Sequence, residues 1–332
     1  MKHKKSSFSL GLGLLLLCLL GCILGGLCFG SARLSFSQVM WGLINPGTDA
    51  TPARILWAVR LPHGAACLLA GVGLGVSGAL LQAATDNPLA GPNIIGVNAG
   101  AGFAMVLGLC FAPMAYRLQP LMAFAGAFAC TMLIVFVANR AGGSRVSIVL
   151  TGVAVSALLN AGISLLKLLY PDMAITYNYF SVGGVSGVGF QTLSLPAVII
   201  LAGLVVAELL AGRLNLLCLG DSVAATLGVR VKLLRMTALL LASACAAAAV
   251  SFAGLLGFVG LMVPHLGRQL FATNDLRKLL PVSAVLGGSM VILADLLGRT
   301  LFAPSEIPAG IVTALVGAPF FFALLLRRRY RQ

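Results

Sequence analysis

Residues 8–29 read FSLGLGLLLLCLLGCILGGLCF, a run without a single Asp, Glu, Lys, Arg or His. A helix needs about 20 apolar residues to cross the hydrocarbon core of a bilayer, so this run reads as a membrane span. Lys2, Lys4 and Lys5 stand before it, and Leu19-Leu20-Gly21-Cys22 resembles a lipoprotein cleavage site. Both features fit a secretory signal. The run nevertheless continues past Cys22 to spanning length, and further runs follow, so the sequence predicts an uncleaved first helix.

Working outward, apolar segments recur near 61–83, 93–113, 119–138, 147–169, 192–212, 233–251, 254–271, 279–298 and 308–326. With the first, that makes about ten. The runs are continuously apolar and do not alternate, which favours helices over a membrane barrel. The expected fold is all-α: one polytopic membrane domain over residues 1–332, with about ten transmembrane helices. Gly71, Gly75 and Ala79 follow the small-residue spacing that lets helix backbones approach closely in lipid.

The composition agrees. Of 332 residues, 60% are hydrophobic and only 9% charged, against about a quarter charged in soluble domains. An ordinary cytosolic enzyme, a disordered chain and a nucleic-acid binder are excluded. The net charge of +14 points to a lipid bilayer with an anionic cytoplasmic face. With the N-terminus inside, the cytoplasmic segments hold sixteen Lys and Arg residues, from Lys2 to Arg331. Six (Arg33, Arg54, Arg60, Arg117, Lys167 and Arg299) fall on the outer side. That asymmetry predicts both termini in the cytoplasm and an even number of spans.

Residues 213–235 form the longest polar interruption between spans. They are too polar to cross a membrane and too apolar for a free loop. Asp221 or Ser222 is expected to cap a short helix that Gly228 ends. Two readings are open: an amphipathic helix resting on headgroups, or a docking surface for a cytoplasmic partner. In Asn87-Pro88-Leu89-Ala90-Gly91-Pro92, two close prolines forbid a continuous helix. This turn is either a tight connection at the interface or a constriction in a water-filled path. Arg60 and Arg299, on the disfavoured side, either snorkel to lipid phosphates or meet acidic residues of an external partner, and His63 lies one helical turn from Arg60.

Other motifs lead nowhere. Gly73-Leu74-Gly75-Val76-Ser77-Gly78 matches a dinucleotide fingerprint literally, but no strand precedes it and no acid follows at the required distance. GxxxxGK[ST] and HExxH do not occur, the three histidines are scattered, and the eight cysteines contain no CxxC pair. No metal site, no cofactor and no ATPase site are expected in the chain. Asp295 and Arg299, four residues apart on one helix, are expected to pair.

At these residues the sequence resembles the permease subunits of bacterial ABC importers for iron–siderophores, haem and vitamin B12. Arg60-Leu61-Pro62, Ser77-Gly78, Gln82 and Asn87-Pro88-Leu89-Ala90 are similar to the family's second-helix pattern. Leu219-Gly220-Asp221, Ala224 and Leu227-Gly228-Val229 resemble its coupling segment. Gly257-Phe258-Val259-Gly260-Leu261, Pro264-His265 and Arg268 resemble its most specific signature. Asp295, Arg299, Glu306, Pro308-Ala309-Gly310 and Gly317-Ala318-Pro319-Phe320 complete the match.

The resemblance implies a type II importer in the bacterial cytoplasmic (inner) membrane. Two permease subunits, identical or close paralogues, would surround one path. Two cytoplasmic ATPases would bind the ATP, and an extracytoplasmic substrate-binding protein would dock outside. It also implies roles for residues. Leu219, Gly220, Asp221, Ala224, Leu227 and Gly228 would couple to the ATPase, within short cytoplasmic coupling helices. Asn87 and Leu89 would form the cytoplasmic gate, and Arg60, His63 and Arg299 would dock the binding protein. The chain departs from the pattern at His63, often Arg in the family, at Gly91, commonly acidic, at Ser222, and through Tyr179–Gly184. The alternative is an ion-coupled secondary transporter of a small solute, against which the scarcity of intramembrane carboxylates speaks.

Overall fold

The computed structural model describes residues 2–30, 34–142, 144–301, 303 and 305–329; Arg33 and Arg331 of the charge pattern lie outside the described residues. Among these residues the chain is all helical, and every apolar segment read from the sequence coincides with a helix. These are α1 (Lys2–Cys28), α4 (Leu61–Thr85), α5 (Val97–Phe111), α6 (Gln119–Arg140), α7 (Arg145–Leu169), α9 (Phe190–Leu217), α11 (Val231–Ala253), α12 (Val259–Phe271), α13 (Leu276–Leu301) and α14 (Ala309–Arg329). Among the described residues seven helical stretches are long and apolar enough to cross a membrane, whereas Val97–Phe111 and Ala309–Leu324 are shorter apolar helices. At 13 residues α12 is shorter still.

The connections hold more structure than the apolar pattern suggests. Helices α2 (Phe36–Ile44) and α3 (Thr51–Ile55) occupy what reads as a plain linker. Ser35-x-x-Gln38 explains α2. The Ser35 hydroxyl accepts from the Gln38 N–H, and the Gln38 side-chain Oε1 accepts from the Ser35 N–H at 2.9 Å. This is a reciprocal capping box. Helix α3 runs through one wide turn, Leu56–Arg60, into α4, so that Thr51–Thr85 is a single rod. Arg60 therefore lies within a helix and not at its start. The segment expected as 254–271 begins its helix only at Val259, because Phe258 takes a left-handed conformation at φ 63°. Two further short helices, α8 (Ala174–Val182) and α10 (Asp221–Thr226), lie outside the long ones.

Small residues set the packing. A Cβ on Gly71 would overlap the backbone of Gly287, one on Gly75 the Ser283 carbonyl, and one on Gly78 the Gly260 carbonyl. Those contacts seat α4 directly against α13 and α12, the close approach that small-residue spacing permits. Burial then sorts the helices. The apolar windows of Thr51–Thr85 and α11 are 72% buried and that of α13 67%, against 6% for Phe8–Cys28 and 17% for Val146–Leu169. Helices α4, α11 and α13 are enclosed in protein, while α1 and α7 turn nearly all their apolar surface outward.

Candidate functional site

Three clusters bring together residues far apart in the chain. The first surrounds α10. Helix α9 ends at Leu217, and Gly220 follows at φ 94°, where a side chain is strained. Helix α10 then runs for six residues and closes at Gly228, φ 79°. Ala224 is fully buried, whereas Leu219, Val223 and Leu227 are 46–57% exposed. A short helix that shows leucine and valine to its surroundings offers an apolar contact surface. The expected cap is corrected here. Gly220 holds the N-cap position, no side chain caps the helix, and Asp221 is its first residue. The carboxylate reaches instead to Arg235 Nη2 at 2.6 Å. Arg235, 7% exposed, donates through Nε to the Ala84 carbonyl at 3.0 Å. Arg235 is thus a strut between α10 and the last turn of α4. The sequence reading counted it only among the basic residues; its one local signal is an arginine a single turn inside an apolar run.

The second cluster begins two residues beyond Ala84. Helix α4 ends at Asp86 in a left-handed conformation, φ 47°. The following turn is closed on itself. Asn87 N–H donates to the Gln82 carbonyl at 3.1 Å, Leu89 N–H to Asn87 Oδ1 at 3.0 Å, and Ala90 N–H to the Asn87 carbonyl at 3.0 Å. A short 3-10 turn, Pro92–Ile95, leads into α5. Leu89 and Gly91 face Leu256, Gly257, Phe258 and Gly260 across a cavity of about 210 Å³. Gln82 locks the two segments together: its Nε2 donates to the Leu261 carbonyl at 3.1 Å, and its Oε1 accepts from Arg268. The Asn-Pro-Leu-Ala turn and the Gly-Phe-Val-Gly-Leu element are therefore one unit, although some 170 residues separate them.

The third cluster sits at the opposite end of α4. Asp295 accepts from Arg299 Nε at 2.8 Å, as the four-residue spacing predicts, and lies 2.9 Å from His63 Nε2. Arg60 is 5% exposed. Its Nη1 donates to the carbonyls of Gly26 at 3.2 Å, Leu27 at 3.0 Å and Phe29 at 2.6 Å, closing the C-terminus of α1. A Cβ on Gly30 would lie 3.0 Å from Arg60 Nη2 and 3.1 Å from Arg299 Nη1, so both guanidinium groups converge there. Within this chain Arg60 and His63 are buried, and the Arg299 side chain is 11% exposed. The fold also brings donor atoms of His63, Cys67 and Asp295 within 4.8 Å of one another. The carboxylate is already engaged on both oxygens, by a hydrogen bond with His63 and an ion pair with Arg299.

Beside the α8 segment lie two adjoining cavities of about 470 and 510 Å³, which share Pro120, Gly187, Thr192 and Ser251. Tyr179, Phe180 and Gly184, from the stretch that departs from the resembled pattern, line the first, and Arg117 lines the second.

With this geometry in hand, likeness to known proteins is informative. A profile of the FecCD transport family matches residues 15–327. The hemin transport system permease protein HmuU of Yersinia pestis is 36% identical over 97% of this chain and 96% of its own length. The Fe(3+) dicitrate transport system permease protein FecC of Escherichia coli is 36% identical over 91% of this chain and 92% of its own. Among solved structures, a chain of a metal-chelate-type ABC transporter in an inward-facing conformation superposes with a TM-score of 0.83 at 29% identity, covering 96% of this chain and 99% of the other.

Proposed function

We propose, because the chain belongs to the FecCD transport family, that it is the membrane-spanning permease subunit of an ATP-driven importer of metal chelates. Its likeness to hemin, ferric citrate and ferric enterobactin permeases supports cargo of the iron-chelate or haem type, and vitamin B12 stays in range through the sequence resemblance alone. The chain supplies the path and carries no ATPase site of its own. Its single domain, residues 1–332, crosses the cytoplasmic membrane ten times when α5, α12 and α14 join the seven longer apolar stretches. Both termini face the cytoplasm. A second permease subunit completes the path, two ATPases bind on the α10 side, and a substrate-binding protein docks at the Arg60 end.

The observation that carries this reading is the link from Asp221 through Arg235 to the Ala84 carbonyl. A displacement of α10 by a partner reaches the turn at Asn87 and Leu89 through one buried guanidinium. Leu219, Gly220, Asp221, Ala224, Leu227 and Gly228 form the coupling segment, and Asn87 and Leu89 the cytoplasmic gate. At the other end, Arg60, His63 and Arg299 serve docking by holding the ends of α1, α4 and α13 in register. An acidic side chain of the binding protein would compete there for guanidinium groups now bonded internally. Transport is a two-state exchange between outward- and inward-facing forms, biased by partners on either side. Asp295 is engaged by His63 and Arg299 and so is not a free carboxylate for an ion-coupled alternative.

The test is reconstitution with the cognate ATPase and binding protein. Gly220→Pro, which cannot adopt φ 94°, should abolish uptake of a ferric chelate while membrane insertion persists. Normal uptake by that variant would refute the coupling role of α10.

A further inference from the structure

A groove between α6 and α11 has no part in the transport reading. On α6, Met132, Phe136 and Arg140 follow one another at four-residue steps; on α11, Lys232, Met236 and Leu240 do the same. All six line one cleft of about 400 Å³. Four residues make about one helical turn, so each wall carries a cation at the rim and two apolar layers beneath it. Eight residues at about 1.5 Å each give a depth of about 12 Å, close to the half-thickness of a ~30 Å hydrocarbon core. Phe136 is 58% exposed, so the apolar walls face outward from the bundle.

The rim is positively charged and available. Arg140 and Lys232 are exposed, and among the described residues neither is in a salt bridge; Arg140 rests over the Phe136 ring at 5.4 Å. Beside the rim a second cavity of about 300 Å³ shares Asn139 and Lys232 with the groove and continues to Asp221 and Arg235. Asp221, the acid that faces this rim, is bonded to Arg235. Two cations over a two-layered apolar trench are complementary to a phosphate carrying acyl chains, and a zwitterionic headgroup would bring its own cation to the same rim.

We propose that this groove is a binding site for one anionic glycerophospholipid, of the phosphatidylglycerol or cardiolipin class. Its phosphate sits between Arg140 and Lys232, and an acyl chain lies along Phe136 and Met236. The lipid so placed abuts the Asp221–Arg235 strut and would steady α10.

The test uses native mass spectrometry of the purified full-length chain in detergent, titrated with dioleoylphosphatidylglycerol or dioleoylphosphatidylcholine. Wild type should retain one phosphatidylglycerol and prefer it over phosphatidylcholine by about thirtyfold, the scale set by two surface cations. Arg140→Gln with Lys232→Gln should erase that preference with unchanged thermal stability in lipid-free detergent. Lys167→Gln, at the other end of the bundle, should keep it. An equal loss in Lys167→Gln, or a wild type without preference, would overturn the site. Displacement of the bound lipid by millimolar inorganic phosphate would also overturn it, by showing a soluble-anion site.

Discussion

Replacing Arg235 by methionine probes the joint on which coupling depends. The substitution keeps length and apolar stem but removes both bonds of the guanidinium: 3.0 Å to the Ala84 carbonyl and 2.6 Å to Asp221. The first bond is buried. Leaving its carbonyl without a partner costs about 1–3 kcal/mol. The second joins a side chain 9% exposed to one 50% exposed, so solvent screens it and its share is about 1 kcal/mol or less. The loss therefore falls mainly on the α4 side, loosening the turn at Asn87 while α10 keeps its own fold. At 1.4 kcal/mol for each factor of ten, transport per ATP hydrolysed should fall about tenfold. The assay is uptake of a radiolabelled ferric chelate alongside phosphate release, in proteoliposomes holding permease and ATPase. Asp221→Asn, which keeps the Ala84 bond, should lose only a few-fold. Transport per ATP unchanged in Arg235→Met, or a larger loss in Asp221→Asn, would refute the reasoning.

Other expectations follow from the packing and the ion pairs. Gly78→Ala places a methyl into the Gly260 carbonyl and should cost about 1–3 kcal/mol in thermal unfolding in detergent, while Gly64→Ala, with nothing near the added carbon, should not destabilise. Asp295→Asn strips the counter-charge from Arg299; breaking a buried pair typically costs about 3–5 kcal/mol, read as a lowered melting temperature and yield. Arg60→Glu should weaken binding-protein affinity, most clearly at low salt, and unchanged affinity would leave Arg60 solely as the brace of α1.

How far the sequence speaks depends on the range of the interaction. Every long apolar run became a helix, because a span is a local property of composition. The Asp295–Arg299 pair was legible for the same reason, since four residues on one helix face each other. Phe258 was not. Its left-handed backbone requires room beside α14, where a Cβ on Gly317 would overlap the Phe258 ring, and no local pattern announces that. The partners of Arg60 and Arg235 were likewise not legible. Each arginine spends its charge on a backbone carbonyl that only the folded bundle brings near. The approach of His63 and Cys67 to Asp295 spans more than 200 residues of chain and depends on the glycine contacts between α4 and α13.

The central claim is that this chain is a conduit driven by another polypeptide, and energised vesicles test it most directly. Proteoliposomes containing the purified chain alone, given either a proton or a sodium gradient, should accumulate no ferric chelate. Addition of the cognate ATPase, its binding protein and ATP should start uptake, and vanadate should stop it. Uphill accumulation by the chain alone under an ion gradient would contradict the account.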